Sequence, residues 1–319
     1  MKKLFVLLAC AAAMVACEND EIVRQDLGDA IEFGSFVENS TRAAVDPSLN
    51  NTTLRKFQVW GTVTGGNGLV SIFNGDNVEG TVGYVDSNAD PKVPNVWHCE
   101  VKQYWIKDAI YNFAALVNAN KNKLSFVDGL PTKLAEFTAD GQTDLLYAKS
   151  EEDIVGLASG NAPVNFTFEH LLSKVKFTVI NNSKAAAEYS FEVNGITITG
   201  AKTGDVTFAT KTWENLTSSD AYDVEAIVVD KDTADAGEEC ANELLLIPGE
   251  FSIAFNVDIY NGTTKLGSQS YPIAPTVYTH TLTAGYSYNF VINVAVGEEI
   301  TFSVTEQPTW TSAGNTTLL

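Results

Sequence analysis

Histidine is scarce in this chain: His98, His170 and His280 are the only three in 319 residues. They stand too far apart to form a metal cluster, and neither a CxxC nor a zinc-type spacing accompanies them. Positive charge is short as well, with 20 Lys and Arg against 40 Asp and Glu and a formal net charge of −20. With no basic patch to meet phosphates, nucleic acid and anionic membrane surfaces are excluded as partners. GxSxG, HExxH, phosphate-loop and dinucleotide signatures are missing. Gly61 to Gly68 holds several glycines but neither the Lys nor the helix of a phosphate loop. Forty acidic residues bring chance carboxylate pairs with them, so counting alone does not exclude glycoside hydrolysis. The chain reads as a non-enzyme with no cofactor and no metal.

The apolar run Leu4 to Ala13 is also short, ten residues where about 20 are needed to cross a bilayer. Behind Lys2 and Lys3 it reads as the core of a signal peptide. Met14-Val15-Ala16-Cys17 resembles a bacterial lipobox, with Met where Leu is usual, and makes Cys17 the expected lipidated first residue. An ordinary secretory signal cleaved at a nearby small residue is the alternative. Glu18-Asn19-Asp20-Glu21 resembles the acidic surface-export signal of lipoproteins in some Gram-negative anaerobes. Each buried CH₂ anchors by about 0.8 kcal/mol, so two or three acyl chains hold firmly. Cys10 leaves with the signal, and Cys99 and Cys240 are expected to be inert core thiols rather than a disulfide.

What is abundant is strand material. Hydrophobic residues make up 45% and charged ones 19%, a globular balance. Gly (23) outnumbers Pro (9), and Val, Ile, Thr, Phe and Tyr recur throughout. Short period-two runs separated by Gly, Asn and Asp clusters predict an all-β sandwich rather than a parallel α/β sheet. Runs of this kind include Leu54 to Val63, Val70 to Phe73, Val82 to Val85, Tyr111 to Leu116 and Val164 to Phe168. Leu171, Val175, Phe177 and Val179 share one parity with Lys174, Lys176 and Thr178 on the other, predicting a half-buried strand. Asn261-Gly262 between two alternating runs predicts a hairpin. In the acidic stretch Asp230 to Glu239, Asp232-Thr233-Ala234 resembles a three-residue O-glycosylation sequence, which marks Thr233.

The two ends carry the functional reading. Ile31, Phe33 and Phe36 lie in a short extended run, followed by the small and polar tether Glu38 to Ala44 with Arg42 inside it. A strand on a cuttable tether can be removed, leaving an empty slot in the sheet it completed. At the other end Glu299 to Thr305 alternates cleanly and Pro308-Thr309-Trp310 and a polar tail follow. Such a terminal strand can close its own sheet or reach into another molecule's.

Several stretches occur together in order: the lipobox, Ser40 to Asp46, Tyr104-Trp105 with Tyr111-Asn112-Phe113, Asp144 to Ala148, His170 to Phe177, and Leu282 to Tyr288. Jointly they resemble the fimbrillin family, the type V pilins of Gram-negative anaerobes. The resemblance implies two transthyretin-like (immunoglobulin-like Greek-key) β-sandwich domains in tandem, each of about seven strands. It divides the chain into a signal peptide (1–16), a propeptide with the removable strand (17–42), and sandwiches at 43–172 and 173–319. It implies export as an outer-membrane lipoprotein and trimming by an arginine-specific protease after Arg42, leaving Ala43 first. Arg24 precedes the strand and would not release it; Arg55 sits against a strand and is expected to be poorly accessible.

The expectation is therefore a structural subunit of a surface fimbria that supports adhesion. Its partners are identical or related subunits, polymerised by donor-strand exchange. Ile300, Phe302, Val304 and Trp310 are the expected donor-strand residues. Two alternatives stand beside it: an uncleaved tip or anchor subunit, and a lipid-anchored surface glycan-binding protein with Trp60, Trp97 or Trp105 as stacking platforms.

Overall fold

The computed structural model describes residues 29–37, 54–66, 68–81, 96–183, 188–229, 237–239, 243–271, 278–297 and 300–308. In the first half of the chain the strands are β1 (Phe33–Val37), β2 (Lys56–Gly65), β3 (Gly68–Thr81), β4 (Val96–Cys99) and β5 (Ile110–Val117). Then come β6 (Leu124–Val127), β7 (Leu130–Thr138), β8 (Leu146–Lys149), β9 (Ile154–Val155) and β10 (Val164–His170). The second half holds β11 (Ser173–Asn181), β12 (Tyr189–Thr207), β13 (Thr212–Val224), β14 (Ile227–Val229) and β15 (Glu238–Glu239). It closes with β16 (Leu244–Leu246), β17 (Gly249–Asn261), β18 (Thr264–Tyr271), β19 (Tyr278–Leu282), β20 (Ser287–Val294) and β21 (Thr301–Gln307). The fold is all-β, with a 3-10 turn at Lys121–Lys123 between β5 and β6.

Three sheets result. The first runs β1-β10-β8-β5-β2-β3-β4 with β9 beside β5; the second runs β15-β11-β20-β21 with β16 on β11. The third runs β18-β17-β12-β7-β6, with β13 and β14 on β12 and β19 on β17. The β6–β7 hairpin therefore comes from the first half of the sequence yet pairs with β12, Gly204 opposite Phe137 and Val206 opposite Leu134. Asp205 ties that junction. It accepts from the Glu136 N–H at 2.8 Å and from Asn215 at 2.7 Å, with the Lys133 ammonium at 3.3 Å. The bond from the Glu136 N–H, then that from Asn215, hold the Asp205 carboxyl below its ordinary value. A depressed folded-state pKa stabilises above the unfolded value and is lost as pH falls through the folded one. Asp205→Asn is thus expected to flatten the drop in thermal midpoint below about pH 4, measured by a pH series of melts against the parent chain.

Two cores form. One gathers Ile31, Phe33, Phe57, Phe73, Phe113, Phe166 and Phe168 inside the first sheet. The other gathers Phe177, Phe191, Phe251, Phe255 and Phe290 between the second and third sheets, and also takes Trp60 and Leu116 from the first. β2 and β5 are consequently buried on both faces over much of their length. Dense aromatics are core packing, the simplest reading of their density: Trp60 and Trp105 are 2% and 1% exposed, which removes them as sugar platforms in the glycan-binding alternative. Trp97 is half-buried, its ring centred 5.1 Å from that of Phe57.

β11 departs from expectation. Its outward parity is buried too, with Lys174 1%, Lys176 9% and Thr178 7% exposed. The cause is position: β20 lies along one side of β11, β15 and β16 along the other. The Lys174 ammonium lies 3.4 Å from a Glu243 carboxylate oxygen. The expected hairpin is present but shifted by one residue. Asn261 pairs with Thr264, so Gly262 is the first central residue, and its φ of +58° suits a type II′ turn. Cys99 is half-buried in β4, and that burial pushes its thiol up. Cys240 lies outside the described residues.

Candidate functional site: the first strand and its slot

β1 lies at the edge of the first sheet and runs parallel to β10, with Phe33 opposite Val164 and Val37 opposite Phe168. The pairing of β10 with β8 covers only Glu169 and His170, so β1 is the ladder partner of Val164 to Phe168. Just before β1 the chain changes sides. The Ile31 N–H donates to the Gln103 carbonyl at 2.8 Å, and the Trp105 N–H donates to the Asp29 carbonyl at 3.0 Å. The Val164 N–H then donates to the Glu32 carbonyl at 2.8 Å. Asp29 anchors the entry by accepting from the Gly160 N–H at 2.6 Å and the Asn161 N–H at 3.2 Å.

Side chains hold the strand as firmly as the ladder does. Ile31 and Phe33 are 6% and 5% exposed. The Phe33 ring stacks on Phe166 at 5.9 Å and meets Phe73 at 5.4 Å, Phe113 at 6.1 Å and Phe57 at 6.4 Å, all edge-on. Phe36 pairs with Thr167 through the backbone. Ala30 bridges Tyr104, and near it Tyr104, Ile106, Ile110, Val155 and Leu157 leave apolar surface in solvent at the start of the strand.

Each half opens with a strand parallel to a late one, β1 with β10 and β11 with β20. Their settings differ: β11 is enclosed on both sides, whereas β1 has a partner on one side only. That contrast is invisible in the sequence, where both read as short apolar runs.

The candidate donor strand closes its own sheet. β21 pairs antiparallel with β20, Phe302 opposite Ile292 and Val304 opposite Phe290. Ile300 is 7% exposed, and the Phe302 ring stacks on Phe290 at 5.5 Å and on Phe255 at 6.2 Å. The His280 Nε2 on β19 lies 3.0 Å from a Glu306 oxygen on β21. Cys17, Arg42, Ala43, Thr233 and Trp310 lie outside the described residues, as do Val82 to Val85. Arg55 corrects an expectation: its carbonyl is tied to the Gly80 N–H at 2.8 Å, yet its side chain is exposed. The sequence also did not reveal the buried His170–Asp144 pair, Nδ1 to Oδ2 at 2.7 Å, where the halves meet.

The family profile described as fimbrillin-like matches residues 41–308. The chain belongs to that family. The match leaves β1 outside and ends one residue past β21. Among solved structures, a fimbrial protein from Bacteroides vulgatus superposes with a TM-score of 0.53 at 15% identity, covering 79% of this chain and 92% of that one. A candidate cell-adhesion protein from Bacteroides ovatus superposes with a TM-score of 0.50 at 14% identity, covering 88% and 96%. At such identities the likeness is one of fold. Comparison with curated protein sequences finds no match. This fimbrillin-like chain thus shares the architecture of both, and its own slot geometry carries the functional argument.

Proposed function

We propose that this fimbrillin-like protein is a structural subunit of a cell-surface fimbria, exported as a lipoprotein on Cys17 and built as two β-sandwiches in tandem. Cleavage after Arg42 by an arginine-specific protease removes β1, and a segment from another subunit takes its place. The observation that carries this reading is the position of β1: an edge strand, buried through Ile31 and Phe33, joined to β2 by the stretch that contains Arg42. Its loss uncovers both a ladder edge and an apolar groove, the pair of features that strand addition satisfies. The family match beginning at residue 41 supports a shared body without β1. Ile300, Phe302 and Val304 are engaged in their own sheet, so in this mechanism β21 is the stem and the tail with Trp310 enters the neighbour.

The test is to treat the full chain with an arginine-specific protease, sequence the new N-terminus and run unboiled samples in SDS. Ala43 as first residue with a ladder of oligomers is expected, and Arg42→Ala is expected to stay monomeric. A product that begins elsewhere, or one that begins at Ala43 and stays monomeric at high concentration, overturns the mechanism.

A further inference from the structure

We propose that the cleft between the first sheet and the β6–β7 hairpin binds a short neutral saccharide, through Asn112, Asp128, Tyr147 and Asp153. This goes beyond the fimbrial reading and does not depend on strand exchange. The cleft has a volume of about 550 Å³, within the range of small-ligand sites. Its floor is the outer face of the first sheet, where Thr62 and Asn112 stand opposite each other and Tyr147 and Lys149 follow on β8. Nearer the second half the same strands turn apolar and buried, with Trp60 on β2 and Leu116 on β5. Hydrogen-bonding side chains therefore appear where the second core stops.

The walls are fixed in place. A Cβ on Gly129, at the hairpin tip, would fall 2.7 Å from both Thr62 and Ser71, so the tip rests directly on β2 and β3. Asp128 and Gly129 form the two-residue turn of the hairpin, with φ +49° and +76° as a type I′ turn requires, and Asp153 across the cleft holds φ +54°. Asn112 secures Asp153 twice, donating to its carboxylate at 3.0 Å and accepting from its N–H at 3.1 Å. One face of Tyr147 stacks on Phe208 at 4.7 Å. Burial, with Glu169 adding to it, pushes its hydroxyl up to about 12, which keeps it a donor at any physiological pH.

Charge selects the ligand class. Lys149 is bonded to Glu152 at 2.7 Å, which leaves the carboxylates of Asp128 and Asp153 to make the cleft acidic and repel sialylated or sulfated ligands. A fixed set of hydroxyl, amide and carboxylate groups suits the hydroxyls of a neutral sugar. Leu69 and Val127, 48% and 60% exposed at the rim, suit its C–H face.

The test applies the intact chain to an array of neutral, sialylated and sulfated glycans and titrates the strongest binder by calorimetry. Saturable binding of a neutral glycan is expected, with a Kd on the order of 0.1–1 mM. Ala209→Trp fills the cleft from an exposed rim position and is expected to weaken binding at least about tenfold with an unchanged melting temperature. Asn112→Ala is expected to weaken binding as well, with a lower melting temperature because Asp153 loses both of its bonds to Asn112. The proposal is overturned if no neutral glycan binds, if only anionic glycans bind, or if Ala209→Trp binds like the parent. An oligolysine peptide that binds in their place and is blocked by Ala209→Trp overturns it in favour of a peptide site.

Discussion

A chain that begins at Ala43 is expected to lose most of its stability as a monomer and to reappear as oligomers that resist SDS without boiling. Without β1 the edge of β10 from Val164 to Phe168 has no ladder partner, and Phe57, Phe73, Phe113 and Phe166 lose the ring that covers them. Ile31 and Phe33 each contribute about 1.5–3 kcal/mol through burial, and each lost ladder bond about 0.5–1.5 kcal/mol. Against a typical folding stability of about 5–15 kcal/mol, that loss is large. A strand from a neighbour restores both terms but must be ordered, at about 1–2 kcal/mol per residue, so the gross gain is much reduced. The contact still dissociates slowly, because ladder and side chains must be released together. Light scattering of the trimmed chain, with and without excess synthetic peptide 29–37, measures the effect. The peptide is expected to hold the monomer and raise its melting temperature. A trimmed monomer that melts like the parent in the absence of peptide would sink the slot as the basis of assembly.

In the untrimmed chain, Phe33→Ala is expected to cost about 3–5 kcal/mol, the range for removing a fully packed ring. Four aromatic rings, from β2, β3, β5 and β10, lie within 6.4 Å of Phe33, so collapse around the vacated space is hindered. The same variant is expected to loosen β1 enough to form some oligomer without cleavage. Glu32→Ala is the control: its side chain is exposed, and a change within about 0.5 kcal/mol is expected. Urea unfolding of the three chains gives the differences. A cost for Phe33→Ala below about 1 kcal/mol places the ring outside the set that retains β1.

Much of this was readable from the chain itself. The all-β class followed from short alternating runs, and β10 buries and exposes its residues in turn as Val164-Asn165-Phe166-Thr167-Phe168 suggested. The burial of Ile31 and Phe33 was legible as an apolar extended run. Local patterning misread β11, because alternation reports a strand's two faces but not what covers them. The burial of Trp60 and Trp105 agrees with dense aromatics as a packed core and removes them from the glycan-binding alternative.

The amino-acid order by itself determined where strands begin, where glycine turns fall, which ends are tethered and that the chain is acidic. These properties are set by neighbours within a few residues. Only the tertiary structure decided that Phe33 pairs with Val164, that the β6–β7 hairpin crosses to β12, and that Thr62, Asn112 and Asp128 border one cleft. Such meetings join residues far apart in the chain. They are settled by which faces bury together at least cost, and no short window of sequence contains that comparison.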